Sequence, residues 1–300
     1  MNGTIIQELG VILTDTVKRQ YRQMKNKIFI GISRHPKSFF LALVFGYTAI
    51  WTFLEPLMTM LEWKTTGYNG YCLSCYILTS IVIAVITVYP KKAVKFDLTN
   101  TNTKVIIEFG DLFKADGYKV IPVNEYFDSA IGKPVSPKSL HGFFIEKILG
   151  GYNSILDTAV TQQLTGRAIT ISQRPEGKND KYELGTTITL THNQSVYFLF
   201  ALCNSDNDCK ATCTPSLMLK ALEGLWEKVR IEGNGFDINL PLVGNGLSGV
   251  GLPPSQLLQL TLMSLLKYTK EKELSTTIRI VLLEDMFKKI DLELIKNNWQ

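Results

Sequence analysis

A glycine-rich loop, Gly244-Asn245-Gly246-Leu247-Ser248-Gly249, is the segment of this chain best suited to hold a ligand. It follows an apolar stretch typical of a strand and precedes a stretch with helical periodicity. Glycine permits positive φ angles, so the backbone N–H groups of such a loop can turn toward an anion. The N-terminus of the following helix adds a favourable dipole. Phosphate or pyrophosphate is therefore the ligand that this loop predicts.

The same loop matches the G-x-G-x-x-G spacing of dinucleotide-binding folds. The chain ends at Gln300, which leaves too few residues after the loop for the rest of such a sheet. A single match to this pattern is weak support, and a glycine turn with a purely structural role is the alternative.

Polar residues also follow two predicted strands. Gly110-Asp111-Leu112 comes after a strand at 103–109, and Asn124-Glu125 comes after a strand at 118–123. Ligands of α/β sheets bind at the carboxyl ends of the strands, so we expect these residues to face the glycine loop. An aspartate there can accept a hydrogen bond from an adenine amino group, and an asparagine can bind a ribose hydroxyl.

The loop after the second strand leads into a predicted helix through Ser139-Leu140-His141-Gly142. Each of the polar residues also has an ordinary structural explanation. Asp111 can cap a turn, Asn124 can form the turn at a strand end, and His141 can pack at a helix start. The spacing alone leaves both interpretations open.

These residues need a scaffold, and strand and helix patterns alternate from Val94 to the end of the chain. We predict helices at 139–149, 153–164, 214–231, 254–268 and 285–297. Further strands are predicted at 183–191, 195–203, 236–243 and 277–284, the first two joined by a hairpin at His192-Asn193-Gln194. This order indicates an α/β fold at 92–300, a three-layer domain with a mixed sheet covered by helices.

Taken together and in this order, the motifs resemble the macro domain, an ADP-ribose-binding module. Gly110-Asp111-Leu112 resembles the family's adenine-recognition step, Val123-Asn124 its strand ending in a ribose-facing asparagine, and Gly244–Gly249 its phosphate loop. The resemblance implies that the ligand contacts Asp111, Leu112, Asn124, Glu125, Ser139, His141, Gly142, Gly244, Asn245, Gly246, Leu247, Ser248 and Gly249. We expect no metal ion, no cofactor and no catalytic residue.

One segment departs from the family pattern. The first phosphate loop of macro domains is rich in glycine, whereas this chain reads EYFDSAIGKPVSPKSLHG from Glu125 onward. Hydrolysis needs a positioned general base and an activated water, and three histidines without paired carboxylates offer little for that role. A ligand sensor is therefore the preferred function. A membrane-tethered ADP-ribosyl hydrolase and a purely structural anchor are the alternatives.

Two apolar segments precede this domain. Residues 38–57 and 71–89 each approach the roughly 20 residues that a helix needs to cross a bilayer, and a short connection predicts a transmembrane α-helical hairpin. Basic residues on both outer flanks place the N-terminus and the C-terminal domain in the cytoplasm, which predicts a multi-pass protein of the cell inner membrane. Residues 1–37 form a basic amphipathic segment suited to a lipid surface or to packing.

With two apolar helices in front, the divergent macro-like domain is similar to the ThsA effector family of type II Thoeris antiphage defence. The resemblance implies a nucleotide signal, a histidine conjugate of ADP-ribose, made by a partner TIR-domain enzyme. It also implies that binding of the signal drives assembly of a homo-oligomer and disruption of the membrane, which aborts the infection.

Charge and cysteine content argue against other classes of function. A net charge of +5, much of it beside the apolar segments, is too mild for a nucleic-acid-binding protein. Five cysteines, an odd number, indicate reduced thiols rather than a disulfide framework. The spacing of Cys203, Cys209 and Cys213 is only a weak sign of zinc, because no second Cys/His pair accompanies it.

Overall fold

The computed structural model describes residues 18, 24–60, 69–247, 249–272 and 274–299. The chain divides into two compact units, Met1–Lys91 and Lys92–Gln300. Most of the predicted N-terminal segment at 1–37 lies outside the described residues, although 24–34 are helical.

The first unit contains two long helices, α1 (Pro36–Met60) and α2 (Asn69–Val88). They run antiparallel, because Met58 of α1 contacts the Tyr76 hydroxyl while Gly46 packs against Ile83. Gly46 is buried, and the absence of a side chain there lets the two helices approach closely. The first unit is therefore a helical hairpin, whose connection at 61–68 lies outside the described residues.

Only α1, among the described residues, is long and apolar enough to cross a membrane. The described apolar stretch of α2, Leu73–Val88, is shorter than the roughly 18 residues that mark a spanning segment. The sequence predicted two membrane-spanning helices, whereas among the described residues only α1 meets the criteria of length and hydropathy. Large apolar side chains on both helices are exposed within the unit, among them Phe45, Phe53 and Ile86.

The second unit contains ten strands and five helices within the described residues. The strands are β1 (Ala93–Asp97), β2 (Lys104–Phe109), β3 (Tyr118–Asn124), β4 (Thr170–Ile171), β5 (Asp180–Lys181), β6 (Thr187–His192), β7 (Ser195–Ser205), β8 (Ala211–Thr212), β9 (Ile238–Pro241) and β10 (Thr277–Leu282). The helices are α3 (Leu140–Phe143), which continues as a π-helical turn at Phe144–Ile148, α4 (Asn153–Leu164), α5 (Pro215–Glu232), α6 (Pro254–Glu271) and α7 (Leu292–Trp299).

The main sheet has the order β1-β2-β10-β9-β3-β7-β6, with β8 paired to β7. The five strands from β2 to β7 in this order run parallel, and β1 and β6 close the two edges antiparallel. Tyr197 and Leu199 of β7 pack in a cluster with α3 and α4, while Phe198 and Phe200 on the opposite face are also buried. Helices therefore cover a mixed sheet, which confirms the predicted three-layer α/β fold.

Several local predictions are confirmed. Helix α4 has the predicted bounds, and Thr214 caps α5 by accepting a hydrogen bond from the Leu217 N–H, with Pro215 at the first helical position. The hairpin between β6 and β7 turns at Asn193 and Gln194, both with positive φ.

Other local predictions are wrong. The predicted helix at 285–297 is a 3₁₀ turn (Glu284–Lys288) followed by α7, because the Asp291 carboxylate accepts from the Glu293 N–H and starts a separate helix. The predicted strand at 183–191 begins only at Thr187, since Gly185 has a φ of +94°. The short strands β4, β5 and β8 have no periodic apolar pattern and were not predicted, and the edge strand β1 was not predicted either.

Candidate functional site

The pairing of β3 with β9 ends early, and we call the region between the carboxyl ends of these two strands the crevice. These neighbouring parallel strands pair only at Tyr118 with Ile238 and Lys119 with Asn239. Beyond that point β9 stays with β10, and β3 stays with β7 up to Asn124. The two halves of the sheet therefore part toward their carboxyl ends, the usual position of a ligand site in an α/β sheet.

The amino ends of the two strands are held together by a buried side chain. The Asn239 amide donates hydrogen bonds to the Asp116 carbonyl at 2.6 Å and to the Tyr118 carbonyl at 3.0 Å. Leu112, Phe144 and Val281, which come from both sides of the parting, pack with Ile121 in one apolar cluster. Both sides of the parting therefore share one apolar core.

The predicted residues Gly110-Asp111-Leu112 lie on one side of the crevice, directly after β2. The Gly110 N–H donates to the Leu282 carbonyl at 2.9 Å, which ties the segment to β10. Leu112 is buried, whereas Asp111 is exposed and one of its oxygens accepts from the Phe113 N–H at 3.0 Å. The capping role considered for Asp111 is thus present, and its carboxylate also faces solvent.

The glycine loop follows β9 and combines two kinds of glycine. Gly244 has a φ of +81°, and an added Cβ would lie 2.7 Å from Val250 Cγ2, so its glycine is required by the fold. Gly246 has no positive φ and is exposed, and an added Cβ there would meet nothing within 4 Å. Asn245 and Leu247 flank this open position, Gly249 has a φ of +50°, and Ser248 lies outside the described residues.

Asn124 is buried at the end of β3 and its side chain is fully engaged within the domain. Its amide nitrogen donates to an Asp128 carboxylate oxygen at 2.9 Å, and its oxygen accepts from the N–H groups of Tyr126 and Asp128. The turn-forming role considered for Asn124 is therefore what the structure shows. Its predicted contact with a ribose stays a prediction.

Glu125 is equally buried. One of its carboxylate oxygens accepts from the Ser205 N–H at 3.1 Å and pairs with the Lys181 ammonium at 3.2 Å. The residue thereby links the end of β3 to β5 and β7.

An ion pair that the sequence analysis missed holds this side of the crevice. The Arg174 guanidinium lies 3.0 Å from the Asp128 carboxylate, and both side chains have no exposed surface. Arg174 also stacks on the Tyr126 ring at 4.0 Å and donates to the Cys209 sulfur at 3.1 Å. Because Arg174 is far from Asp128 in sequence and lies in an irregular polar stretch, no local pattern indicated the pair.

The segment containing β4 and β5 is thereby fixed over the carboxyl end of β3. The Lys178 N–H donates to Asp128 at 2.6 Å, and the Tyr182 N–H donates to the Glu125 carbonyl at 2.9 Å. Gly177 fits here because an added Cβ would lie 2.6 Å from an Asp128 oxygen. We call residues 166–182 the β4–β5 segment.

Ser139, His141 and Gly142 form the start of α3. The Ser139 hydroxyl accepts from the Gly142 N–H at 2.9 Å, and a Cβ on Gly142 would lie 2.2 Å from the Ser136 carbonyl oxygen. Burial, and secondarily the charge of Lys178, lower the pKa of His141 to about 3. This imidazole is therefore neutral at physiological pH, and its Nε2 has no hydrogen-bond partner among the described residues.

The three cysteines of this unit have separate surroundings. Burial raises the pKa of Cys203 to about 12 and that of Cys213 to about 11, so both are neutral thiols. Cys209 contacts Arg174 instead. In the described part of the chain, no group of three His, Cys, Asp or Glu side chains is arranged to hold a metal ion.

We predict that Arg174→Ala lowers the free energy of unfolding by about 3–5 kcal/mol, because it leaves the buried Asp128 carboxylate without its counter-ion. Chemical denaturation of the purified chain measures this. Lys133→Ala is the matched control, since its ion pairs with Glu176 and Asp208 are exposed and contribute about 0–1 kcal/mol. A loss no larger than that of the control would contradict the structural role of the pair.

We also predict that His141 contributes to destabilisation by acid. Its pKa in the folded state is below that of an unfolded histidine, so below pH 6.5 only the unfolded chain gains the proton. Stability is then lost as pH falls toward 3, by up to about 1.4 kcal/mol per pH unit from this group.

The matching measurement is urea unfolding of the parent and of His141→Gln at several pH values between 7 and 5. The variant should lose less stability than the parent over this range. His192→Gln, at the partly exposed hairpin turn, controls for the substitution itself. Parallel curves for the parent and His141→Gln would refute the assignment.

The same part of the chain is similar to known proteins. The family model described as "Thoeris protein ThsA, Macro domain" matches residues 105–283, more than half of the chain. A Thoeris protein ThsA of Bacillus amyloliquefaciens (strain Y2) is 25% identical over 161 residues, which are 50% of this chain and 52% of that protein. The chain thus spans about half the length of this curated relative.

Two solved structures are also similar. The Oceanobacillus iheyensis macrodomain with ADP aligns at 15% identity and a TM-score of 0.49, covering 69% of this chain and 96% of that chain. The Trypanosoma brucei macrodomain in complex with ADP-ribose aligns at 12% identity and a TM-score of 0.43, covering 64% and 68%. The family match extends from β2 to the end of β10, and with it this chain belongs to the Thoeris protein ThsA macro-domain family.

Proposed function

We propose that the Lys92–Gln300 unit binds an ADP-ribose-derived nucleotide in the crevice between β3 and β9. In this proposal the chain is a membrane-anchored effector of antiphage defence. Its signal is a histidine conjugate of ADP-ribose made by a partner TIR-domain enzyme. Bound effectors assemble into a homo-oligomer that disrupts the cell inner membrane and so aborts infection.

The observation that carries the proposal is the open glycine at position 246. Packing explains why Gly244 lacks a side chain, but nothing in the described structure excludes one at Gly246. A glycine that packing does not require suits close approach of a ligand to the backbone. The loop follows the carboxyl end of β9, and in this proposal it binds the diphosphate while Asp111 binds the adenine.

The buried network after β3 favours a sensor over a hydrolase. A general base must be free to take a proton from water. Glu125 is paired with Lys181, Asp128 is paired with Arg174, and the burial of His141 keeps its pKa near 3. Asn124 and Glu125 are also hydrogen-bonded within this network. In this proposal, their contact with a distal ribose replaces some of these hydrogen bonds.

The route of the chain into the domain supports coupling between ligand and membrane. Lys92 is the first residue of the second unit, and its carbonyl accepts a hydrogen bond from the Phe109 N–H at 3.0 Å. Phe109 ends β2 immediately before Gly110 and Asp111. The connection from the helical unit is therefore attached beside the proposed adenine end of the site.

For the output, we propose that both α1 and α2 span the membrane, with the basic flanks of the hairpin in the cytoplasm. Ligand binding shifts the chain toward the assembled state only if that state binds the ligand more tightly. A change from mostly inactive to mostly active needs a preference of about 10⁴-fold, roughly 5.5 kcal/mol. Several charge-assisted hydrogen bonds to a diphosphate, about 1.5–3 kcal/mol each, are of the size required.

We predict that the full-length chain in detergent binds ADP-ribose and its histidine conjugate without turnover, and that Gly246→Glu weakens binding at least tenfold. The carboxylate would repel the diphosphate while leaving the fold intact, since the position is open. Isothermal titration calorimetry measures affinity, and chromatography of the ligand measures turnover.

Ile231→Glu is the control for this experiment, because it adds the same charge at an exposed residue of α5. Turnover of the ligand would favour the hydrolase, and no binding by the parent chain would favour a structural anchor. Equal affinity of Gly246→Glu and the parent would refute the placement of the diphosphate.

A further inference from the structure

Helix α1 carries a line of polar side chains along one of its faces. Thr48, Thr52, Glu55 and Thr59 are all exposed, and their spacing of four, three and four residues follows the turns of the helix. At about 100° per residue, the four positions lie within roughly 60° of one another. We call these four residues the polar stripe.

The polar stripe lies away from the other helix of the hairpin. Gly46, the buried residue of α1 that packs against Ile83, is about 150° around the helix from the centre of the stripe. The buried Ser80 of α2 belongs to the same contact, because its Cα would lie 3.4 Å from a Cβ added at Gly46. The packing of α1 on α2 therefore leaves the polar stripe on the outer surface of the hairpin.

The three threonine hydroxyls of the stripe are bonded to their own helix. Each donates to the carbonyl of the residue four positions earlier, at 3.0 Å for Thr48, 2.7 Å for Thr52 and 2.9 Å for Thr59. These bonds satisfy the hydroxyl hydrogens without any other partner. The threonines are therefore compatible with a lipid or an aqueous environment, and other groups of the stripe distinguish the two.

Two groups beside these hydroxyls require a polar environment. Glu55 is the only acidic residue of α1, a helix that is long and apolar enough to cross a membrane. The next residue, Pro56, has no N–H, so the Thr52 carbonyl lacks the donor that a helix normally supplies four residues later. Lipid tails offer no hydrogen bonds, and ionisable groups of spanning helices face other helices or water-filled cavities.

We propose that the polar stripes of several copies of α1 face one another in the assembled state and line a water-filled path that favours cations. This inference rests on the proposed function, because it takes α1 as a membrane-spanning helix of a homo-oligomer. With the N-terminus in the cytoplasm, Glu55 lies toward the outer end of α1, five residues before Met60. The copies then form a ring of carboxylates there, and acidic rings of this kind select cations in channels.

The test compares the release of two fluorescent dyes of similar size and opposite charge from phosphatidylcholine vesicles that contain the full-length chain. The histidine conjugate of ADP-ribose is added outside to start the release. We expect the parent to release the cationic dye at least about threefold faster than the anionic dye, because the ring attracts cations. Glu55→Gln should bring the ratio of the two rates to about one, whereas Glu55→Asp should retain the preference.

A second pair of variants tests the position of the stripe independently of its charge. A membrane-impermeant thiol reagent should slow dye release through Thr52→Cys by more than it slows release through the parent, whose own cysteines give the baseline. Phe53→Cys is the matched control, because Phe53 is the next residue and is 79% exposed. Its side chain points about 100° away from that of Thr52, so the reagent should affect this variant no more than the parent.

Circular dichroism establishes that each variant is folded, and the pair of cysteine variants decides the question if Glu55→Gln does not fold. Equal release of both dyes by the parent, or an unchanged preference in Glu55→Gln, would overturn the acidic ring while the proposed function stands. Equal effects of the reagent on Thr52→Cys and Phe53→Cys would overturn the placement of the stripe. A parent that binds the ligand and releases neither dye would overturn both this inference and the proposed action on the membrane.

Discussion

The separation of β3 from β9 is the constraint on which the rest of the second unit depends. Two parallel strands that share a sheet would normally stay paired along their length, yet here pairing ends at Lys119 and Asn239. Asn239 holds the strands at one end, and Leu112 and Phe144 belong to the apolar cluster that also contains Ile121 of β3. Polar loops follow the carboxyl ends of the strands on this side: the glycine loop comes after β9 and Asp111 comes after β2.

The two sides of the crevice differ in how they are stabilised. On the β3 side, Asn124 donates a hydrogen bond to Asp128, which is paired with Arg174, and Glu125 is paired with Lys181 of the β4–β5 segment. On the β2 and β9 side, Asp111 and Gly246 are exposed. The polar side chains at the end of β3 are therefore hydrogen-bonded within the domain, whereas Asp111 and Gly246 on the β2 and β9 side are accessible. That side also receives the chain from the helical unit through Lys92.

Local physical chemistry was enough to predict the main strands and helices of the domain from sequence. Thr214 as a cap and the turn at Asn193 and Gln194 follow from short-range preferences. The buried ion pair of Asp128 was not predictable, because its partner Arg174 lies in a distant irregular segment. The parting of β3 and β9 was equally hidden, since strand register depends on tertiary packing.

Dye release from vesicles measures whether ligand binding by the second unit acts on the membrane through the helical unit. The full-length chain would be reconstituted into phospholipid vesicles loaded with a self-quenching dye, and the histidine conjugate of ADP-ribose added outside. We expect dye release that requires the ligand, that is lost in Gly246→Glu and that is retained in Ile231→Glu. Release that is independent of the ligand, or ligand binding without any release, would contradict it.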